Sequence, residues 1–160
     1  MGVKYAKDNA EKSVGAYPKF EADCTNFVSQ CMIASGIHYR SEWYIYRKNN
    51  KYNTPTNNTQ TKNSWDLKLP GPWTVANNFK EYWISKSSKV YKAKGADIIA
   101  NPSILLNTLI TKGTVVQIAN ADSNLIGNSF HSMYITEHSG NTFYLTYHSE
   151  NTVSKNLLDI

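Results

Sequence analysis

Apolar residues recur at intervals of three and four near the start of the chain, at Val3, Ala6, Ala10 and Val14, with Lys, Asp and Glu between them. This spacing predicts an amphipathic helix over 2–15, ended at Gly15. Pro18 pushes Tyr17 out of the helical region, so 16–22 reads as an extended approach to the next element. The helical period returns after Asp23, where Phe27, Val28, Cys31 and Met32 make a buried stripe. Asp23 is placed to cap this helix by accepting from the backbone N–H of Asn26, and Gly36 supplies a left-handed stop. From 39 to 72 periodicity fades, and Asn, Thr, Lys and Ser separate Trp43, Tyr44, Tyr46, Tyr52 and Trp65. Asn and Thr compete with backbone hydrogen bonding, so 48–63 is expected to be a long surface loop. Pro70, Gly71 and Pro72 break the chain, and Thr74 then caps a helix carrying Val75, Phe79, Tyr82 and Trp83.

Beyond 88 the pattern turns to short extended runs. A strand is expected at 90–93 and a helical turn at 102–107. Alternating runs at 114–119, 131–136 and 143–148 predict strands, the last two joined by the turn Ser139-Gly140-Asn141. The expected fold is therefore α+β, N-terminal helices packed on a C-terminal antiparallel sheet. With 160 residues, one domain over 1–160 is expected.

Composition narrows the function classes. Hydrophobic residues make up 41% and aromatics 12%, with eleven Tyr and four Trp, enough for a core and an aromatic-lined groove. No run approaches a membrane span, so membrane insertion is not expected. The N-terminus lacks the apolar core of a signal peptide, and the chain is expected to be made in a cytoplasm and to reach its target by lysis or another export route. The net charge of +5, from 17 basic and 12 acidic residues, biases the surface toward anionic surroundings. It lacks a compact basic cluster and has only Arg40 and Arg47 as forks, which argues against nucleic acid as a partner. Two cysteines do not make a disulfide scaffold.

The chemistry centres on Asp23-Cys24-Thr25-Asn26-Phe27-Val28-Ser29-Gln30-Cys31. A cysteine at the first helical position meets the positive end of the helix dipole and the unpaired N–H groups of the first turn, the setting of a nucleophile. Cys31 lies about 10 Å further along the axis and reads as packing. Pairing the last two strands about Gly140 brings His131 opposite residues 148 to 150, so that His148 or Glu150 becomes its neighbour on one face. A cysteine hydrolase is the expected result, with Cys24 as nucleophile, His131 exchanging protons, His148 holding its ring and the Cys24 N–H stabilising the oxyanion. Tyr17, Asp23 and Trp65 are expected on the substrate side. Trp43, Trp65 and Trp73 either stack on sugar rings or cover the core edge, the second role suiting Trp73.

Together with Trp65, the runs Gly113-Thr114-Val115-Val116, Phe130-His131-Ser132-Met133 and Thr146-Tyr147-His148-Ser149-Glu150-Asn151-Thr152 join that first stretch in resembling the amidase-domain relatives of the NlpC-type and CHAP cysteine hydrolases. The resemblance covers nearly the whole chain. It implies a papain-like fold, no cofactor, and cleavage of an amide in bacterial peptidoglycan, nominally between the lactyl group and L-Ala, with Cys24 and His131 in the roles above. For the third residue it implies His148 by strand order, with Glu150 and Asn151 open. The papain group carries a Gln shortly before the nucleophile as oxyanion donor, and no Gln precedes Cys24 here; a Tyr17 hydroxyl is the substitute at hand. Peptide endopeptidases share the site. The basic charge suits the enzymatic part of a phage lysis enzyme, whose wall-binding module is expected to be missing from this chain.

Two rivals remain. A zinc amidase would use His131, His138, His148 and Cys24, but the chain has no His-x-x-x-His or Cys-x-x-Cys pair, and strand alternation sends His131 and His138 to opposite faces. His38 and His138 read as surface or turn residues. A non-catalytic glycan-binding module would use Trp43, Tyr44 and Trp65, and would have no need of a cysteine at a helix start.

Overall fold

The computed structural model describes residues 1–12, 16–108, 110–121, 127–149 and 152–160. Helix α1 (Gly2–Asn9) is shorter than the predicted 2–15, with Ala10 at its C-cap. Val14 and Gly15 lie outside the described residues. Ala6 and Ala10 are fully buried in the same core as Phe27 and Cys31 of helix α2 (Cys24–Ala34). Gly2 makes the close approach possible: a Cβ there would stand 1.9 Å from Ser35 Oγ and 2.7 Å from Cys31 O. Gly36 ends α2 at φ +97°, the left-handed stop that the sequence predicts.

The segment expected to be a loop holds more order than its composition suggests. Tyr46–Arg47 (β1) pairs antiparallel with Trp65–Asp66 (β2), and Asn58–Ser64 forms helix α3. Asn57 caps α3 by accepting the Gln60 N–H at 2.9 Å. Thr61 and Ser64 are its buried residues, so the helix depends on its cap and a polar contact with the body. Helix α4 (Ala76–Ile84) starts two residues after Thr74 and has Val75 at its N-cap. The Thr74 hydroxyl is buried without a partner among the described residues, so it does not make the predicted cap.

No strand forms at 90–93, where Val90 and Tyr91 are about half exposed. The chain instead makes helix α5 (Gly95–Ala100) and a 3-10 segment at Pro102–Asn107, the latter where a helical turn is predicted. Strands β3 (Val115–Ala119), β4 (Ser129–Ser139), β5 (Thr142–Tyr147) and β6 (Thr152–Asn156) form an antiparallel sheet in that order. The molecule is thus α+β, as the pattern predicts; β6 has no apolar alternation and was not legible as a strand.

The sheet separates two cores. On one face Tyr134 joins Phe27, Val28, Cys31 and the indoles Trp43, Trp73 and Trp83. Trp43 packs at 5.1 Å from Trp73 and 5.0 Å from Trp83, and truncating any of these rings would cost about 3–5 kcal/mol. On the other face Met133, Ile135, Phe143, Leu145 and Tyr147 pack with Leu105. Because successive strand residues alternate, Ser132 and Tyr134 face α2 while His131, Met133 and Ile135 face away.

Candidate active site

The start of α2 is built on buried polar contacts rather than on an N-cap side chain. Asp23 precedes Cys24 and is 3% exposed. Its Oδ1 accepts from the Phe20 N–H and from Asn26 Nδ2, both at 2.8 Å. The predicted bond from the Asn26 backbone N–H is not made; the Asn26 side chain takes its place. Asn26 is fully buried, and its amide also donates to Pro18 O and accepts from the Trp73 indole, each at 2.8 Å. The approach segment is therefore clamped to the first helical turn at Pro18 and Phe20.

The second Asp23 oxygen meets His148 Nδ1 at 2.5 Å, and His148 Nε2 lies 2.9 Å from Asn9 O. A carbonyl oxygen only accepts, so Nε2–H is the donor there. The proton between Nδ1 and Oδ2 then makes the pair either imidazolium–carboxylate or imidazole–carboxylic acid, neutral as a whole in both forms. The ring also stacks on Phe27 at 4.0 Å. This node ties α1, the approach to α2 and the end of β5 together, and removing one partner would leave a buried charge, at a cost of about 3–5 kcal/mol.

These contacts correct the expected orienting role of His148. His131 and His148 do not share a face: His131 sets its ring edge-on to Tyr147 at 4.8 Å, whereas His148 packs on α2. The cause is a bulge in β4. Near the turn, Ser139 pairs with Thr142 and Glu137 with Tyr144, but beyond the irregularity Ile135 pairs with Leu145 and Tyr134 with Thr146. One extra β4 residue turns the upper half of the strand over. The same bulge returns His138 to the His131 side, where it stacks on Phe143 at 4.2 Å and bonds Gly140 O. The expectation of opposite faces for these two histidines fails for that reason, while His138, expected as a surface or turn residue, is an exposed residue of β4. Glu150 and Asn151 lie outside the described residues.

Cys24 is the first residue of α2 and is 6% exposed. Its Sγ lies 3.7 Å from Thr25 Oγ1, and Thr25 Oγ1 meets Ser132 Oγ at 3.0 Å. The helix start thus touches β4 one residue beyond Cys24 and one beyond His131. Gln117 Nε2 continues this polar seam, donating to Ser132 Oγ and to Ala76 O at 2.9 Å. His131 itself is half-buried and pairs with Ile118 next to a second irregularity, between Ile118 and Ala119.

The other expected substrate residues separate. Trp65 is 2% exposed, donates its indole N–H to Tyr52 O at 3.0 Å and lies under the Arg47 guanidinium; with Asp23 it belongs to the interior, so neither presents a surface to substrate. Trp43 and Trp73 are fully buried, which leaves Trp73 in its predicted core-edge role. Tyr17 keeps a partly exposed ring, stacked on Trp73 at 6.0 Å. Burial pushes the phenol of its neighbour Tyr39 up, aided by a hydrogen bond with Tyr17.

Among the described residues, no group of three or more His, Cys, Asp or Glu side chains is placed to hold a metal ion, and no helix is long and apolar enough to cross a membrane. Residues 1–159 match the family model described as Putative amidase domain. The chain belongs to that family. Membership points to an amidase-type hydrolase and extends over every element of the amidase domain described above. Comparisons with curated proteins and with solved structures gave no match. Sequence reasoning missed Asn26, which holds the amidase domain's helix start in place, and Gln117, which ties Ser132 to Ala76. The available signal was polar residues inside an otherwise buried stretch: Thr25, Asn26, Ser29 and Gln30 all lie within α2, and buried polar groups need partners.

Proposed function

We propose that this chain is a cysteine-dependent peptidoglycan hydrolase of the NlpC/CHAP type with a papain-like fold, cutting the amide between the lactyl group of muramic acid and L-Ala. The observation that carries the reading is Cys24 at the first position of α2, with the residue before it anchored in the interior and the residue after it bonded to β4. The helix's first-turn N–H groups face a developing oxyanion at that position.

In the reaction, Cys24 sulfur attacks the carbonyl carbon and the C–N bond breaks. His131 takes the Cys24 thiol proton and delivers it to the leaving amine, then takes one from the water that hydrolyses the thioester and returns it to the sulfur, so that an amine and a carboxylic acid leave and the thiol is restored. His131 is offered for this role by its partial exposure. Alternation sends its ring to the Tyr147 side, so the reaction requires the imidazole to move toward Cys24 from the face on which it rests. Asp23 and His148 act by positioning. The working place of the enzyme is the bacterial wall, reached by lysis or another route.

The test is turbidity loss of Gram-positive walls with wild type, Cys24→Ala and His131→Ala, followed by mass spectrometry of the fragments. Lysis by wild type alone, releasing free L-Ala amines, is the expected result. Equal lysis by Cys24→Ala defeats the mechanism, and other new amines reassign the bond to an endopeptidase.

A further inference from the structure

We propose a glycan subsite in the depression lined by Tyr39, Arg40, Ser41, Tyr44, Tyr46 and Asp66, taking a neutral N-acetylhexosamine unit of the strand whose peptide stem enters at Cys24. The substrate class rests on the peptidoglycan reading above; the binding chemistry rests on the groove itself. Its volume of about 470 Å³ lies within the range of about 300–1,000 Å³ usual for small-ligand sites.

Tyr46 stands at the centre, 51% exposed, with Tyr39 edge-on at 5.0 Å and Tyr44 tilted at 5.5 Å. A pyranose offers a face of C–H groups that packs on such a ring and a rim of hydroxyls that needs donors and acceptors in its plane. Asp66 and Arg40 supply one of each. Tyr44 Oη donates weakly to Asp66 Oδ1 at 3.4 Å, so the carboxylate keeps acceptor capacity. One cation and one anion cancel across the groove, which favours an uncharged polyol over a phosphate or an acidic polymer.

The wall of the groove is also packed, through the fully buried Trp73, against the start of α2. Tyr39 packs edge-on to Trp73 at 5.7 Å, Tyr17 stacks on the same indole, and Trp73 donates to Asn26 in the first turn of α2. The floor under Tyr46 is therefore held by the same interior contacts that hold the helix start. Pocket chemistry of this kind is not needed for the amide bond itself, and it would register the sugar strand relative to the peptide.

The experiment is calorimetric titration of the full chain, as Cys24→Ala, with tri-N-acetylchitotriose, and chemical-shift mapping of the contact. Binding is expected, with shifts confined to the groove. Tyr46→Ala should weaken it about tenfold, Asp66→Asn a few-fold, and Tyr46→Phe hardly at all. Equal affinity for Tyr46→Ala, shifts elsewhere, or occupation of the groove by a proline-rich peptide but not by the trimer would overturn the subsite. Trimer binding with no Cys24-dependent wall lysis sinks the hydrolase reading and leaves the subsite standing; lysis without trimer binding does the reverse.

Discussion

The two histidines of the β4–β5 hairpin sit on opposite sides of one ladder in different surroundings. His148 is 5% exposed, and both ring nitrogens face fixed interior partners. Turning the ring away would break the contacts that hold the α2 start. His131 is half-buried against the edge of Tyr147, and it is the residue to which we assign proton exchange. One extra residue in β4 separates the roles. A hairpin without that bulge would have kept the two imidazoles on one face.

The strongest way to break this comparison is kinetic. His131→Ala should lower turnover by about 10²- to 10⁴-fold while leaving the denaturation midpoint close to wild type; full activity in this variant would remove His131 from the reaction. Next comes stability. His148→Ala should cost about 3–5 kcal/mol in denaturant unfolding, and His148→Ala with Asp23→Asn should cost less than the two single changes added together. Additive costs would show that the 2.5 Å contact is not a coupled pair.

A milder probe compares the two thiols of α2. Cys31 is fully buried and burial pushes its thiol well up, so native protein treated with iodoacetamide should gain one label, at Cys24, and a second only on unfolding. Labelling of Cys31 first would mean that the helix start is the more closed end. The smallest effect belongs to the outer rim of β4. The Lys7 hydrogen bond holds Glu137 below its ordinary value of 4.5. A lowered folded pKa contributes stability above that ordinary value, lost as pH falls through the lower one. Lys7→Ala should therefore flatten a slight acid-side slope in thermal melts, and an unchanged slope would assign it to other carboxylates.

Much of this architecture was legible because apolar spacing and packing agree. Phe27, Val28, Cys31 and Met32 mark α2, and the runs at β3, β4 and β5 alternate clearly enough to set strand pairing near Gly140. The legibility fails where local polar bonds replace apolar spacing. Helix α3 depends on Asn57 and Gln60, and β6 runs through Thr152–Asn156 with no apolar stripe. For the site, Cys24 and its helix position were readable, but the faces of His131 and His148 were not. A bulge carries no sequence signature in Tyr134–Glu137, and a one-residue slip inverts every side chain above it. The buried ends of Asp23 and Trp65 were hidden for another reason: their partners, His148 and the Tyr52 carbonyl, are distant or belong to the backbone.

The bond between Asp23 and His148 spans 125 residues of sequence. Translation delivers Cys24 long before the imidazole that steadies its neighbourhood, and contacts so far apart in the chain form late. A ribosome-bound fragment ending before β5 would hold Cys24 on a helix whose entry is still unfastened. Completion of the β4–β5 hairpin thus decides when the start of α2 becomes ordered.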